Sequence, residues 1–325
     1  MLAPQAREPL SCPGRKQLAS RSTLEAATSP FPRPQGVRIS TYILISVPKA
    51  KWAANHFPKM YLPPDFTKYD AIACGQLIDQ AYEQYRQAVA AALAPVPWSI
   101  QDGYTNCGSF SAVEKGQVLP FGFVASKDQR LFVVIRGTQT PLEWLDDASI
   151  QPMPFITGWG STTAGFLCLH NQIYPTIEKL VLDNQGNMDH LFVTGHSLGA
   201  ALANLTAAQL IGDKKVTPDR LTVYTFSGPR VGNPIFADQF NKNISTAWRV
   251  FNTEDLVPTL PLSTVDADPR SSLGLFETNV ELVLKLFFKP SPFVFQHVDT
   301  PVALTYQLST VSDNHNLTQL YSRLN

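Results

Sequence analysis

The 325-residue chain has no excess of either charge, no closely spaced cysteines and no long apolar run. Its 26 Lys and Arg residues balance 26 Asp and Glu residues, so the net charge indicates neither a nucleic-acid partner nor electrostatic binding to anionic lipid. No stretch of about 18 apolar residues is present, and we expect no transmembrane helix. The four cysteines lack a C-x-x-C spacing, which argues against a zinc site and leaves the disulfide state open: Cys12, Cys74, Cys107 and Cys168.

The N-terminal segment differs in composition from the rest of the chain. Its first 34 residues contain six prolines, five basic residues and two acidic ones, too little apolar material to form a core. We expect residues 1–36 to be a disordered extension and residues 37–325 to form one domain. The segment lacks the apolar region of a secretory signal but fits the composition of an organelle transit peptide, so the compartment stays open.

Apolar runs and amphipathic segments alternate from residue 66 onwards. A helical pattern up to Pro95 precedes two neighbouring strands, "VLPFGFVAS" and "QRLFVVIRG". Further along, the strands "HLFVTG", "LTVYTFSG" and "AWRVFN" are separated by helical segments. With 44% hydrophobic residues, the chain predicts an α/β fold with a mainly parallel central sheet covered by helices on both faces.

The stretch "VTGHSLGAALANL" contains a G-x-S-x-G pattern between a predicted strand and an Ala-rich helix. This context is typical of a nucleophile elbow, in which glycines permit the close backbone approach around a strained serine. We therefore predict Ser197 as a catalytic nucleophile.

A serine nucleophile needs a histidine base, and in this fold the acid and the histidine both follow the serine. Only His297 and His315 lie after Ser197. His315 stands in the polar loop "STVSDNH", where catalytic residues are common, whereas His297 alternates with Phe293 and Phe295 in a strand-like run. We predict His315 as the base and His297 as a core or rim residue.

Asp255 follows the strand "AWRVFN" and is the predicted acid, because the prolines after it fix an extended path. Its neighbour Glu254 and the local carboxylate Asp313 remain alternatives. A tetrahedral oxyanion also needs fixed donors. We predict the backbone N–H groups of Leu198, directly after the nucleophile, and of Thr138, which follows the strand ending in "VVIRG".

Large apolar residues follow the oxyanion loop in an irregular stretch rich in Pro and Gly. They include Trp144, Phe155 and Trp159. Because an exposed apolar patch is unfavourable in water, we predict that this stretch covers the acyl site as a lid or lines it as a fixed wall.

The chain from about residue 66 onwards resembles the class 3 lipases, the fungal-lipase-like branch of the α/β-hydrolases. The motifs that carry this resemblance are "VIRGT" with "EWLDD", "AGF", "VTGHSLGAALANL", "TFSGPRVGNPIFA", "VFNTEDLVPTLP" and a late histidine. The chain departs from the family in having Thr162-Thr163-Ala164 where a histidine often precedes "GF", and in a longer, more apolar segment from 262 to 296.

The resemblance implies hydrolysis of carboxylic esters of lipids at a lipid–water interface, through Ser197, Asp255 and His315 with Thr138 and Leu198 as oxyanion donors. No metal or cofactor and no nucleic acid are expected, and the oligomeric state stays open. The alternative is a catalytically silent lipid-binding or scaffold protein on the same fold. The acyl donor could be an acylglycerol, a phospholipid or a galactolipid.

Overall fold

The computed structural model describes residues 62–93, 98–114, 116–138, 150–261 and 294–325. The proposed extension 1–36, its boundary at residue 37, Trp144 and most of the segment 262–296 lie outside the described residues. The described residues form one compact unit. No helix in the described ranges is long and apolar enough to cross a membrane.

A seven-stranded sheet organises this unit, in the order β1-β2-β3-β6-β7-β8-β9. Its strands are β1 (Thr105–Glu114), β2 (Gln117–Lys127), β3 (Arg130–Ile135), β6 (His190–His196), β7 (Leu221–Phe226), β8 (Ala247–Asn252) and β9 (Thr300–Leu304). Strands β3 to β9 of this sheet pair in parallel, whereas β1, β2 and β3 form an antiparallel edge. The predicted mainly parallel sheet is confirmed.

Helices cover both faces of the sheet, as expected for a parallel sheet. They are α1 (Lys68–Ala90), α2 (Ala164–Asn184), α3 (Leu198–Gly212), α4 (Pro234–Asn243), α5 (Val311–Asn314) and α6 (Leu317–Ser322). Alternate residues of β3 divide between the faces. Leu131, Val133 and Ile135 join the large core under α2 and α3, and Phe132 and Val134 point the other way.

The first and last helices of the described chain touch on the α1 face. Asp79 of α1 accepts hydrogen bonds from the Tyr321 hydroxyl at 2.7 Å and from the Thr318 hydroxyl at 3.0 Å. Leu320 of α6 is fully buried. Helix α6 therefore packs against α1, which lies more than two hundred residues earlier in the sequence.

Three elements differ from what the sequence led us to expect. The sequence did not reveal β1, because its polar and glycine-containing run "TNCGSFSAVE" lacks a regular apolar pattern. The irregular stretch after the oxyanion loop contains a short hairpin, β4 (Pro152–Pro154) with β5 (Ser161–Thr163). The strand-like run around His297 makes only an isolated bridge at Gln296, and the strand follows at Thr300–Leu304.

Candidate active site

Ser197 stands at the sharp turn between β6 and α3, in the centre of the parallel sheet. Its φ of 59° and ψ of −127° lie in a strained region for a residue with a side chain. Gly199 in the first turn of α3 packs directly on β3, since a Cβ there would lie 2.5 Å from the carbonyl oxygens of Ile135 and Arg136. The glycine therefore lets the helix descend close enough to the sheet to form the turn.

The structure brings Asp255 and His315 together, although neither lies near the other in sequence. His315 Nδ1 lies 2.7 Å from Asp255 Oδ2, and both side chains are buried. The second carboxylate oxygen of Asp255 accepts the Val257 N–H at 3.0 Å, which fixes the carboxylate plane. Glu254 is solvent-exposed, and Asp313, also considered as the acid, makes no ion pair with His315 among the described contacts.

His315 also lies beside the nucleophile turn. Its ring centroid is 4.6 Å from that of His196, the residue directly before Ser197. The Ser197 hydroxyl and His315 Nε2 are both buried, and neither has a hydrogen-bond partner within the described ranges. Catalytic hydrogen bonds are often loose before substrate binds, so two such unpaired groups fit a nucleophile and its base.

His297 has a different environment. Its Nε2 lies 2.7 Å from the carbonyl oxygen of Pro258, and since that oxygen only accepts, Nε2 carries the proton. Burial, with a contribution from the Arg249 charge, lowers the pKa of His297 to about 3. This imidazole is therefore a neutral structural donor, and the structure does not bring it to Asp255.

A relay of hydrogen bonds beneath the site was not predicted from the sequence. His196 Nε2 lies 3.0 Å from the carbonyl oxygen of His315, and His196 Nδ1 lies 2.9 Å from the Tyr82 hydroxyl. Burial, and next the His315 ring, hold the pKa of His196 well below its ordinary value, so the ring is neutral. Nε2 must then donate to the carbonyl, and Nδ1 accepts from Tyr82. The position of His196 inside the motif could have indicated a role, but nothing in the sequence marks Tyr82.

The Gly137–Thr138 turn lies against the nucleophile. A Cβ on Gly137 would lie 2.8 Å from Ser197 Cβ and 2.7 Å from the Tyr82 hydroxyl. Thr138 lines a cavity of about 420 Å³ together with His196 and His315. Leu198 is the first residue of α3 and is buried. Both predicted oxyanion residues are thus adjacent to Ser197 or to the histidine beside it.

Phe155 and Trp159 both pack into the core. Phe155 packs on His170 of α2 and on Phe236 of α4, with ring centroids 5.8 and 5.6 Å apart. Trp159 contacts Gly212, which is the last residue of α3, whereas Ser197 lies directly before the first residue of that helix. These ends are about 21 Å apart at 1.5 Å per residue. The hairpin β4–β5 turns both residues into the core of the described structure. That they cover the acyl site stays a prediction.

The threonines at the family's frequent histidine position have structural partners here. The Thr163 hydroxyl accepts the Phe166 N–H and caps α2, and the Thr162 hydroxyl donates to the Val231 carbonyl at 2.7 Å. Both side chains are buried. Both threonine hydroxyls therefore have hydrogen-bond partners at the position where the family often has a histidine.

Comparison with known proteins gives one family. Its sequence model, Lipase (class 3), matches residues 132–265. A Caenorhabditis elegans lipase is 31% identical over 144 residues, which cover 43% of this chain and 41% of the relative. The chloroplastic phospholipase A1-Igamma2 of Arabidopsis thaliana is 27% identical over 299 residues, 78% of this chain and 54% of the relative. The chain thus spans about half the length of the curated relatives that it matches.

Solved structures give the same fold. A triacylglycerol lipase described as having a serine protease triad as its catalytic centre superposes with a TM-score of 0.50 and 26% identity. The match covers 61% of this chain and 76% of that one. A lipase variant from Penicillium cyclopium superposes with a TM-score of 0.51 at 22% identity, over 78% of this chain and 87% of that chain, which shows the fold alone.

Proposed function

We propose that this chain is a serine hydrolase of lipid esters, because residues 132–265 match the class 3 lipase family model and the central sheet is mainly parallel, as in the α/β-hydrolases. Ser197 is the nucleophile, His315 the general base and Asp255 the residue that orients the imidazole. The buried 2.7 Å contact between His315 and Asp255, held beside the Ser197 turn, is the observation that carries this proposal.

The reaction follows from the geometry of this contact. Asp255 accepts the Nδ1 proton of His315, which leaves the Nε2 lone pair to take the proton of the Ser197 hydroxyl. The Ser197 oxygen then bonds to the ester carbonyl carbon, and the protonated imidazole gives its proton to the departing alcohol. Water, deprotonated in turn by His315, attacks the acyl-serine. The imidazolium then returns the proton to the Ser197 oxygen as the acyl–oxygen bond breaks and the carboxylic acid leaves.

Two backbone N–H groups stabilise the oxyanion of each tetrahedral intermediate. Leu198 contributes one from the N-terminus of α3, where the helix dipole adds positive potential. Thr138 contributes the second from the turn packed on Ser197. Removing one such donor from a hydrolase costs roughly 10²- to 10³-fold in kcat, so this turn must be held accurately.

The substrate class follows from the relatives rather than from a pocket. The matched proteins include lipases, phospholipases A1 and a triacylglycerol lipase. We therefore assign carboxylic esters of acylglycerols or related membrane lipids, met at a lipid–water interface. Release of fatty acid from separate triacylglycerol, monoacylglycerol, phospholipid and galactolipid dispersions would identify the preferred acyl donor.

A fluorophosphonate probe tests the proposal directly. It should label the unaltered protein at Ser197, and Ser197→Ala should abolish both labelling and hydrolysis of p-nitrophenyl butyrate. Ser227→Ala is a matched control, since Ser227 is another buried serine with positive φ at the end of the neighbouring strand. It should still be labelled. A folded, unlabelled and inactive unaltered protein would instead identify the catalytically silent alternative.

A further inference from the structure

Arg136 is the largest side chain that the described protein buries completely. It follows β3 and precedes the Gly137–Thr138 turn. Its guanidinium lies between two aromatic rings, 4.2 Å from the centroids of Tyr85 and Phe121. The nearest carboxylate within the described ranges is that of Glu114, 3.6 Å from Nη2 and partly exposed.

Such an arrangement is costly for an ordinary core position. Desolvation lowers the pKa of the Arg136 guanidinium, and Nη2 has no hydrogen-bond partner among the described residues. A buried cation paired with a single carboxylate is often less stabilising than an apolar residue of similar size. The contacts that the guanidinium does make are therefore informative.

Two short hydrogen bonds connect Arg136 to the main chain. Nε donates to the Pro120 carbonyl at 2.6 Å, which anchors the guanidinium to β2. Nη1 donates to the Gly137 carbonyl, also at 2.6 Å. On the other side of the same residue, the Gly137 N–H donates to the Tyr82 hydroxyl at 3.0 Å. Both polar groups of the Gly137 backbone are therefore fixed by side chains of the protein interior.

The Gly137 carbonyl belongs to the same planar peptide group as the Thr138 N–H. In a trans peptide the C=O and N–H bonds point in opposite directions, so fixing the carbonyl oxygen fixes the direction of the N–H. A cation bound to the oxygen also polarises the amide, which strengthens its N–H as a donor. Arg136 thus acts on the group proposed above to stabilise the oxyanion.

We infer that Arg136 is a positioning residue of the oxyanion hole: its guanidinium holds the Gly137–Thr138 peptide so that the Thr138 N–H is aimed at the developing oxyanion. The inference rests on the proposed ester hydrolysis. It extends that function to a residue which touches neither the substrate nor the triad.

Arg136→Met tests the inference, with Arg130→Met as the matched control. Arg130 begins β3, the strand that Arg136 follows. It also packs over aromatic rings and pairs with Asp70 at 2.9 Å, but no hydrogen bond among the described contacts joins it to the turn. Activity is measured on p-nitrophenyl butyrate, and the initial burst of p-nitrophenolate counts active sites. We expect Arg136→Met to lower kcat per active site roughly 10- to 100-fold with little change in KM. Its affinity for a trifluoromethyl ketone, whose adduct carries the oxyanion, should fall by the same factor.

A merely structural role would give a smaller burst with an unchanged kcat per active site and would overturn the inference. If Arg136→Met does not fold, Arg136→Lys retains the charge without the two-pronged donor geometry. Normal kcat in that variant would overturn the inference too.

A readout without turnover separates this inference from the proposed function. Hydrogen exchange at the Thr138 amide should accelerate in Arg136→Met and stay unchanged in Arg130→Met. An inactive unaltered protein with this exchange pattern would reject the hydrolase and retain the positioning role. An active unaltered protein whose Arg136→Met variant keeps both the exchange rate and kcat would retain the hydrolase and reject the positioning role.

Discussion

His315 Nδ1 and Asp255 Oδ2 meet at 2.7 Å across 60 residues of sequence, and both groups are shielded from solvent. Asp255 therefore fixes which imidazole nitrogen carries the proton. Asp255→Asn would present either a donor or a neutral acceptor in its place. We expect kcat to fall on the order of 10⁴-fold with the fold retained. Glu254→Gln, the exposed neighbour, should keep its kcat in the same p-nitrophenyl ester assay, and equal losses in both variants would contradict the assignment.

The two late histidines should separate in the same assay. His315→Ala removes the proposed base and should lower ester hydrolysis as far as Ser197→Ala does, because the residues of a catalytic triad act as a unit. His297→Ala removes a donor to the Pro258 carbonyl and should mainly lower the melting temperature. Reversed effects in kinetics and thermal unfolding would show that His297 is the base.

Gly199 tests the close contact beneath the nucleophile. An added methyl group would lie 2.5 Å from two carbonyl oxygens of the neighbouring strand, which cannot move without disturbing the sheet. Gly199→Ala should cost about 3 kcal/mol or more in free energy of unfolding. Gly186→Ala, where a methyl group meets nothing within 4 Å, should leave it unchanged or raise it slightly. Urea unfolding followed by circular dichroism measures both, and similar stabilities would argue against the contact.

His170 should make the fold sensitive to acid. It is fully buried in α2, neither ring nitrogen has a hydrogen-bond partner within the described ranges, and burial lowers its pKa to about 3. The unfolded chain takes up a proton near pH 6.5, so the free energy of unfolding falls as the pH drops from 6.5 towards 3. His170→Phe removes this dependence. Urea unfolding should show that, relative to the unaltered protein, the variant gains about 2 kcal/mol in free energy of unfolding from about pH 7.5 to about pH 5. A constant difference between the two proteins would show that His170 is protonated in the fold.

Trp159 should contribute to stability rather than to interfacial kinetics. Trp159→Ser removes an indole packed between α3 and α4 and should cost about 3 kcal/mol, seen as a lower melting temperature. Per active site, Trp159→Ser and the unaltered protein should show the same change in rate when a short-chain ester passes its solubility limit. Tyr69→Ser, at a side chain that is 73% exposed, should leave the melting temperature almost unchanged. If Trp159→Ser lost this rate increase but kept its rate on dissolved ester, the result would support the prediction that Trp159 belongs to a lid.

The sequence predicted those features of the fold and the candidate site that depend on local residue patterns or on the order of elements along the chain. The strand–serine–helix pattern locates the Ser197 turn because its glycine spacing is local. The parallel strands follow from regular apolar runs. Tyr82 and Arg136 carry no such pattern, since their partners are main-chain atoms and the His196 ring, which only the folded chain brings near them. The packing of Phe155 on α4 was not foreseen, because sequence distance from the oxyanion loop does not reveal that a hairpin turns it towards that helix.

The contact between α1 and α6 has a consequence for biosynthesis. Tyr82 and Asp79 belong to the same early helix, while His315 directly precedes the helix that docks on Asp79. A nascent chain that has completed the nucleophile turn still lacks the histidine and the helix that anchors it. The proposed triad is therefore incomplete until His315 and α6 have been synthesised and α6 has packed on α1.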